Sequence, residues 1–189
     1  VVSDNDVISV PQGNIWLKVK QNGCSIDDVS ANPITMRARM NVTVPAGGTL
    51  EAADPTDPLD RSTITWQTWG HVDTVELHLM PDADTPILIA TGVTNLGTDG
   101  GTQDYALWNV NNSIGSNRRV RVRDDSYGGV VTDESSPFSI KGKILITSPN
   151  DSSSWKVSGA DFGNNTETIT WTNCGTLSGA TIEYSPNSG

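Results

Sequence analysis

The chain has 189 residues, enough for one or two ordinary domains. Twelve basic against twenty-two acidic residues give a net charge of −10 at pH 7, and a surface of this sign repels nucleic acids and anionic membranes. No apolar run reaches membrane-spanning length, and the abundant Gly, Pro, Asn, Asp, Ser and Thr favour short strands joined by turns over helices.

Segments of the chain repeat at a nearly constant spacing. The matched segments are 32–45 with 136–149, 63–84 with 168–189, and 17–20 with 120–123, at offsets of 104, 105 and 103 residues. A repeat of this length predicts an array of similar domains rather than a solenoid. Residues at matched positions are called repeat equivalents below.

The repeat divides the chain into three parts. Residues 1–38 are predicted to be the C-terminal half of one module, residues 39–142 a complete module, and residues 143–189 the N-terminal half of a third. An incomplete sandwich leaves strand edges unpaired and its core half covered. We therefore expect the two partial modules to be completed, either by a longer chain or by neighbouring copies.

In the complete module, apolar and polar residues alternate in seven or so short segments that predict strands. In chain order these segments are 40–44, 62–67, 74–80, 86–91, 105–110, 118–123 and 136–141. Turn residues separate them at intervals typical of an immunoglobulin-type β-sandwich. The positions predicted to face the core are Trp66 with its repeat equivalent Trp171, Val75, Leu77, Leu79, Val120 and Val122.

In the C-terminal part, the segments TITW at 168–171 and ATIEYS at 180–185 flank a short loop with Gly175. This pattern resembles strands B and C of fibronectin type III and immunoglobulin-like modules, and the resemblance implies that both segments are strands. The whole chain resembles the immunoglobulin-like repeats of large secreted bacterial surface proteins, and the motifs that carry this resemblance are 148–150, 169–171, 119–123 and 133–140. The resemblance implies tandem β-sandwiches with adhesion, scaffolding or stalk roles and no catalytic residues.

Three tryptophans, Trp69, Trp155 and Trp16, have no tryptophan at equivalent positions of the repeat. The fold does not require them there, so we expect them to pack in interfaces between modules or to stack on a sugar ring. The two histidines, His71 and His78, have no nucleophile or paired ligand at a useful spacing. Because no catalytic or phosphate-binding motif occurs either, we expect that the protein is not an enzyme.

Two groups of acidic residues could supply oxygen ligands for calcium. They are Asp54, Asp57 and Asp60 in one loop, and Asp124 and Asp125 near a later hairpin. Their spacing fits no EF-hand loop, and aspartates form turns without a metal. Solvated turns are therefore the alternative interpretation, and we expect no other cofactor.

Cys24 and Cys174 lie in different partial modules. In an immunoglobulin-type sandwich the loops that would carry them share one end. A composite module, built from the tail of one copy and the head of the next, would bring them close enough for a disulfide. A long polyprotein would also place them in one module, whereas two unrelated thiols would need no partner. A disulfide would indicate an oxidising, extracellular compartment.

Together these patterns predict a secreted structural protein: a filament, stalk or surface-layer component made of immunoglobulin-like sandwiches. Its expected partners are copies of itself, because strands added from one subunit to the sheet of the next form open head-to-tail polymers. An alternative is an adhesin or carbohydrate-binding tandem module that contacts cell-surface glycans. A spacer joined to an enzyme elsewhere in a longer chain is a third hypothesis.

Overall fold

The computed structural model describes residues 16–23, 27–34, 37–82, 85–96, 100–125, 128–150, 153, 155 and 166–185. Its regular structure consists of thirteen strands, which confirms the predicted all-β class. Within these ranges no helix is long and apolar enough to cross a lipid bilayer. The strands are β1 (Lys18–Lys20), β2 (Asp27–Val29), β3 (Arg39–Val44), β4 (Thr49–Glu51), β5 (Ser62–Trp69), β6 (Thr74–Met80), β7 (Ile87–Thr94), β8 (Gly101–Trp108), β9 (Gly115–Asp124), β10 (Thr132–Glu134), β11 (Phe138–Lys141), β12 (Lys143–Ser148) and β13 (Thr170–Cys174).

The chain divides into two compact units. The first consists of residues 1–48, 62–108 and 116–139, and the second of residues 49–61, 109–115 and 140–189. Strands β1–β3, β5–β8 and β10 belong to the first unit, whereas β4, β12 and β13 belong to the second. Strand β9 from Ser116 onward, and Phe138 and Ser139 of β11, also belong to the first unit. The predicted module boundaries after residues 38 and 142 remain predictions.

Two β-sheets form the main body of the first unit, which we call the middle sandwich. One sheet has the strand order β3-β5-β8. The other has the order β11-β9-β6-β7, and β10 also pairs with β9. This arrangement is sandwich-like because an apolar core and polar cross-links join the two sheets.

The core of the middle sandwich comes from strands whose side chains alternate between two faces. Along β6, buried and half-buried positions alternate strictly from Thr74 to Met80, since successive side chains of a strand point to opposite faces. Full burial of one large aliphatic side chain stabilises a fold by about 1.5–3 kcal/mol. Among the predicted core residues, those with 0% exposed surface are Trp66, Val75, Leu77, Leu79, Val120 and Val122.

Two contacts fasten one sheet to the other. The Oδ2 atom of Asp133 in β10 accepts a hydrogen bond of 2.7 Å from the N–H of Val42 in β3. The rings of Trp108 in β8 and Phe138 in β11 meet edge to face, with centroids 6.2 Å apart. Because β10 and β11 belong to one sheet and β3 and β8 to the other, both contacts bridge the core.

A buried polar network surrounds the indole of Trp66. Its Nε1–H donates to Oδ1 of Asn95 at 2.9 Å, and the hydroxyl of Thr68 donates to the same oxygen at 3.0 Å. The amide Nδ2 of Asn95 donates to the carbonyl of Val72 at 2.7 Å. Asn95 and Thr68 are both buried, so every bond in this network forms away from water.

In the second unit, β12 and β13 form an antiparallel ribbon that we call the tail sheet. Hydrogen bonds hold the loops at its base. Nδ2 of Asn112 donates to Oγ1 of Thr176 at 2.6 Å, and the N–H of Thr176 returns a bond of 2.8 Å to Oδ1 of Asn112. Nearby, the N–H of Ala52 donates to the carbonyl of Lys141 at 2.8 Å.

Several elements differ from the predicted strands. Strand β8 begins at Gly101 instead of Tyr105, because its polar first residues pair with the end of β5, where Gly101 lies opposite Thr68. Strands β4 and β10 were not predicted. Residues 180–185, predicted as a strand, form none. Their repeat equivalents in β6 pair with strands on both sides, whereas no strand pairs with 180–185 in the described part of the chain.

Candidate assembly interface

Strands β1 and β2 form a hairpin, which we call the head hairpin together with its flanking residues 16, 17 and 30. It repeats the β9–β10 hairpin of the middle sandwich in sequence and in register. In the head hairpin Lys18, Val19 and Lys20 lie opposite Val29, Asp28 and Asp27. At the equivalent positions, Arg121, Val122 and Arg123 lie opposite Glu134, Asp133 and Thr132. The head hairpin is therefore a second copy of that structural unit.

The apolar face of the head hairpin is exposed. Leu17 and Val19 have 51% and 74% of their surface exposed, whereas their repeat equivalents Val120 and Val122 are fully buried. A groove of about 520 Å³ lies along this face, lined by Leu17, Val19 and residues 28–31. The residues that fill a core in the middle sandwich thus face an open groove here.

The tail sheet repeats the pairing of β3 with β5. Ile146 lies opposite Trp171, and the register shifts between Ile146 and Ser148. In the middle sandwich Val42 lies opposite Trp66, and the register shifts at the equivalent step. The two pairs of strands have the same sequence pattern, the same register and a register shift at the same step. The apolar face of the tail sheet is therefore the one that corresponds to the buried face of β3 and β5.

The apolar face of the tail sheet is likewise exposed. The side chains on it, and that of Ile182, which follows the sheet in the chain, are between 41% and 67% exposed, whereas none of their repeat equivalents exceeds 9%. These exposed side chains, together with Ile169, line most of a groove of about 490 Å³. The pairs, with the buried equivalent second, are Ile144 and Met40, Ile146 and Val42, Trp171 and Trp66, and Ile182 and Leu77.

The predicted core position does not hold for Trp171. Its side chain is 41% exposed, although it stands in the same TITW sequence as the buried Trp66. Trp66 is covered because a second sheet packs against β5. Strand β13 pairs with β12 alone within the described residues, so one face of its indole remains in the groove.

The three tryptophans without repeat equivalents have different surroundings. The guanidinium carbon of Arg39 lies 4.0 Å above the centroid of Trp69, and Gly100 is packed so close to Nε1 of Trp69 that a Cβ there would lie at 2.9 Å. This stacking occupies one ring face of Trp69 and leaves less of it for a sugar. Trp16 and Trp155 are about half exposed, and their interface or glycan roles remain predictions.

The first group of predicted calcium ligands makes bonds within its own loop. Oδ1 of Asp54 accepts the N–H and the hydroxyl of Thr56 at 2.8 and 2.7 Å. Oδ1 of Asp57 accepts the N–H of Leu59 at 2.8 Å. These are the bonds by which aspartate stabilises turns, and they point the carboxylates at the backbone.

The second group does not converge on a cation either. Oδ2 of Asp125 accepts the hydroxyl of Thr91 at 3.0 Å and the N–H of Gly92 at 2.9 Å, while Asp124 is fully buried. Among the described residues, no three His, Cys, Asp or Glu side chains are grouped to hold a metal ion. The geometry of both groups is that of turn and loop supports.

Asp60 has a different role from its neighbours, because its carboxylate joins the loop to the tail sheet. Oδ2 accepts the N–H of Asp54 at 2.8 Å and Nζ of Lys143 at 3.2 Å. The hydrogen bond from Asp54 is the main reason that the pKa of Asp60 lies below its usual value, and the ammonium of Lys143 lowers this pKa further. The ionised carboxylate is therefore the form that the folded second unit favours.

Replacement of Asp60 with asparagine is expected to loosen this loop at neutral pH and to have no effect in acid. A group with a lowered pKa stabilises the fold above its unfolded pKa, and the contribution is lost as the pH falls through the folded value. Amide hydrogen exchange at Asp54 should therefore be faster in Asp60→Asn from pH 7 down to about 4, the unfolded value, and the two chains should converge as the pH falls further, through the lower folded value. Asp57→Asn is the matched control. A difference that is constant with pH would contradict the assignment.

Of the two cysteines, only Cys174 lies within the described residues. Its thiol is free and buried at the base of the tail sheet, and burial is the main reason that its pKa is raised. Cys24 lies outside the described residues. The Cys24–Cys174 disulfide therefore remains a prediction.

The repeat inside the chain explains why the exposed faces of the head hairpin and the tail sheet are apolar. Their exposed apolar residues match buried residues of the middle sandwich, in both sequence and strand register. The chain thus carries its own template for what covers each face. Beyond the chain itself, no protein-family model and no curated protein matches the sequence.

Proposed function

We propose that the chain is an extracellular structural protein that builds a filament, stalk or surface layer from immunoglobulin-like modules joined end to end. One observation carries this proposal: apolar residues that are buried in the middle sandwich are exposed at equivalent positions of both partial modules. Each partial module has the apolar face of a sandwich without its second half. Completion by a neighbouring chain would give both faces the environment that the middle sandwich already has.

The topology of the middle sandwich supports an immunoglobulin-like module. Taken in chain order, β3, β5, β6, β7, β8, β9 and β11 correspond to strands A, B, C, C′, E, F and G. One sheet then has the order A-B-E and the other G-F-C-C′, which is the division of strands between sheets in this class of sandwich, with the fourth strand on the side of C. Secretion is supported by the surface-protein motifs and by the acidic composition.

The apolar area of the exposed faces decides whether burial can offset the free energy that association of two chains costs. Association costs about 4–15 kcal/mol in lost freedom of motion, whereas burial of one large aliphatic side chain returns about 1.5–3 kcal/mol. A single hydrophobic contact is therefore not enough. Exposed apolar residues on the head hairpin and on the tail sheet, buried together, are sufficient to hold a joint.

The proposal predicts that Ile146→Asp abolishes assembly. A carboxylate at this position would be buried without a partner in a completed module, which should weaken association at least about 100-fold. Analytical ultracentrifugation over a range of concentrations measures the effect. The native chain should form species larger than its 20.1 kDa mass, and the variant should not.

Leu59→Asp is the matched control, because it adds the same charge at an exposed leucine in a loop. This variant should assemble like the native chain. Assembly that persists in Ile146→Asp, or a native chain that stays at 20.1 kDa at every concentration, would refute the proposal.

A further inference from the structure

Strand β1 has a free edge. Within the described part of the chain it pairs with β2 alone. Its repeat equivalent, β9, has β10 and β11 on one side and β6 on the other. An unpaired strand edge presents backbone N–H and C=O groups that can accept another strand. The partner missing from β1 is thus the counterpart of β6.

That counterpart is present in the chain, in residues 181–184. These residues are the repeat equivalents of Glu76–Leu79 in β6, yet they belong to no strand. Ile182 and Tyr184 are exposed, whereas their equivalents Leu77 and Leu79 are fully buried. The segment carries the alternating pattern of a strand and lacks a strand to pair with.

We infer that β1 of one copy pairs antiparallel with residues 181–184 of a second copy, and that this pairing is the joint of the assembly. The inference rests on the proposed function and specifies its partner and register. In the middle sandwich, Leu79, His78, Leu77 and Glu76 lie opposite Val120, Arg121, Val122 and Arg123. Transferred through the repeat, the pairs of the joint are Tyr184 with Leu17, Glu183 with Lys18, Ile182 with Val19, and Thr181 with Lys20.

The side chains of both strands suit this register. Leu17 and Val19 share the face of Ile182, which is the face that the middle sandwich buries. On the other face Lys18 lies opposite Glu183, and directly opposed opposite charges stabilise a strand pair. A shift by one residue would turn the lysines into the core. The side chains thus select the register that the repeat predicts.

A second contact is predicted by the bond that joins the two sheets of the middle sandwich. There Asp133 accepts the N–H of Val42 at 2.7 Å. The equivalent of Asp133 is Asp28, which lies opposite Val19 as Asp133 lies opposite Val122. The equivalent of Val42 is Ile146, at the same irregularity of its sheet. The head of one copy therefore brings the acceptor and the tail of the other brings the donor of the bond that the middle sandwich contains.

Site-specific disulfide trapping tests the pairing, with two variants that each carry one introduced cysteine and in which Cys24→Ala and Cys174→Ala remove the native thiols. Lys18→Cys chains are mixed with Glu183→Cys chains at a concentration where the native chain assembles, oxidised mildly, and mapped by peptide mass spectrometry. Directly opposite Cβ atoms lie about 4.5–5.5 Å apart, and diagonal ones about 7–8 Å, beyond the span of a disulfide. We expect at least about tenfold more 18–183 product than 18–181 product from a control mixture with Thr181→Cys.

The outcomes of this experiment distinguish failure of the inferred strand pairing from failure of the proposed function. A dominant 18–183 crosslink between different chains supports the strand pairing. Assembly in which residue 18 crosslinks to residue 181, or to neither position, overturns the register and the joint while the proposed function stands. If a chain that carries both Lys18→Cys and Glu183→Cys forms the 18–183 link only within itself, the second copy is overturned as the occupant. A mixture that stays monomeric overturns both proposals.

Discussion

Replacing Trp66 with alanine is expected to lower the free energy of unfolding of the middle sandwich by about 3–5 kcal/mol, the usual cost of removing a buried indole. The side chain is fully buried in β5, and its Nε1–H is bonded to Asn95. Alanine would leave a cavity and would remove one of the two hydrogen bonds that Oδ1 of Asn95 accepts. Urea unfolding followed by far-UV circular dichroism, at concentrations where the chain is monomeric, measures the change.

The matched control is Trp171→Ala, which makes the same substitution at the repeat equivalent. Because Trp171 lies in an open groove, its removal from a monomer should cost less than about 1 kcal/mol. In the assembled state the same variant should weaken association instead. Equal losses of monomer stability in the two variants would mean that the tail sheet is already covered.

Replacing Asn95 with leucine is expected to cost the middle sandwich about 3 kcal/mol or more, because it leaves several buried polar groups unpaired at about 1–3 kcal/mol each. The groups concerned are the indole N–H of Trp66, the hydroxyl of Thr68 and the carbonyl of Val72. Leucine has a similar volume, so packing changes little. The same urea titration gives the free energy.

Thr68→Val serves as the comparison for this network. It removes one donor and leaves Oδ1 of Asn95 bonded to Trp66, so we expect a loss of about 1 kcal/mol. If Asn95→Leu cost no more than Thr68→Val, the three bonds would not act as one network around the indole.

The sequence predicted the strands whose burial is decided locally. The alternation of Thr74–Met80 defines β6 at both ends, and the valines that alternate with arginines at 120 and 122 define the inner face of β9. In both strands the buried apolar residues are separated from one another by single polar residues, so only the two-residue period of a strand fits the pattern. A local signal was sufficient there.

In other parts of the chain, burial is decided by contacts between residues that are far apart in the sequence. The sequence TITW occurs at 63–66 and at 168–171, with a buried tryptophan in the first and an exposed one in the second. Nothing within the tetrapeptide distinguishes them, since burial depends on whether a second sheet covers the strand. The same reason explains why residues 180–185 have the pattern of a strand and no strand structure.

The polar network was also missed, for a related reason. Asn95 lies 29 positions from Trp66, and an asparagine next to a turn predicts only a turn. A signal was nevertheless present in the buried tryptophan itself, because a buried indole N–H usually has a partner. The sequence could therefore predict that an acceptor exists, and only the fold could identify it.

The lysines of β1 have a consequence for how such a chain behaves before it meets its partner. Lys18 and Lys20 are exposed and alternate with apolar residues along the free edge. Charged side chains, lysine above all, are a common device by which soluble proteins keep exposed strand edges from aggregating. A strand with no acid opposite Lys18 would gain little by pairing. Lys18 favours the correct partner through Glu183, and together with Lys20 it discourages amyloid-like growth from this edge.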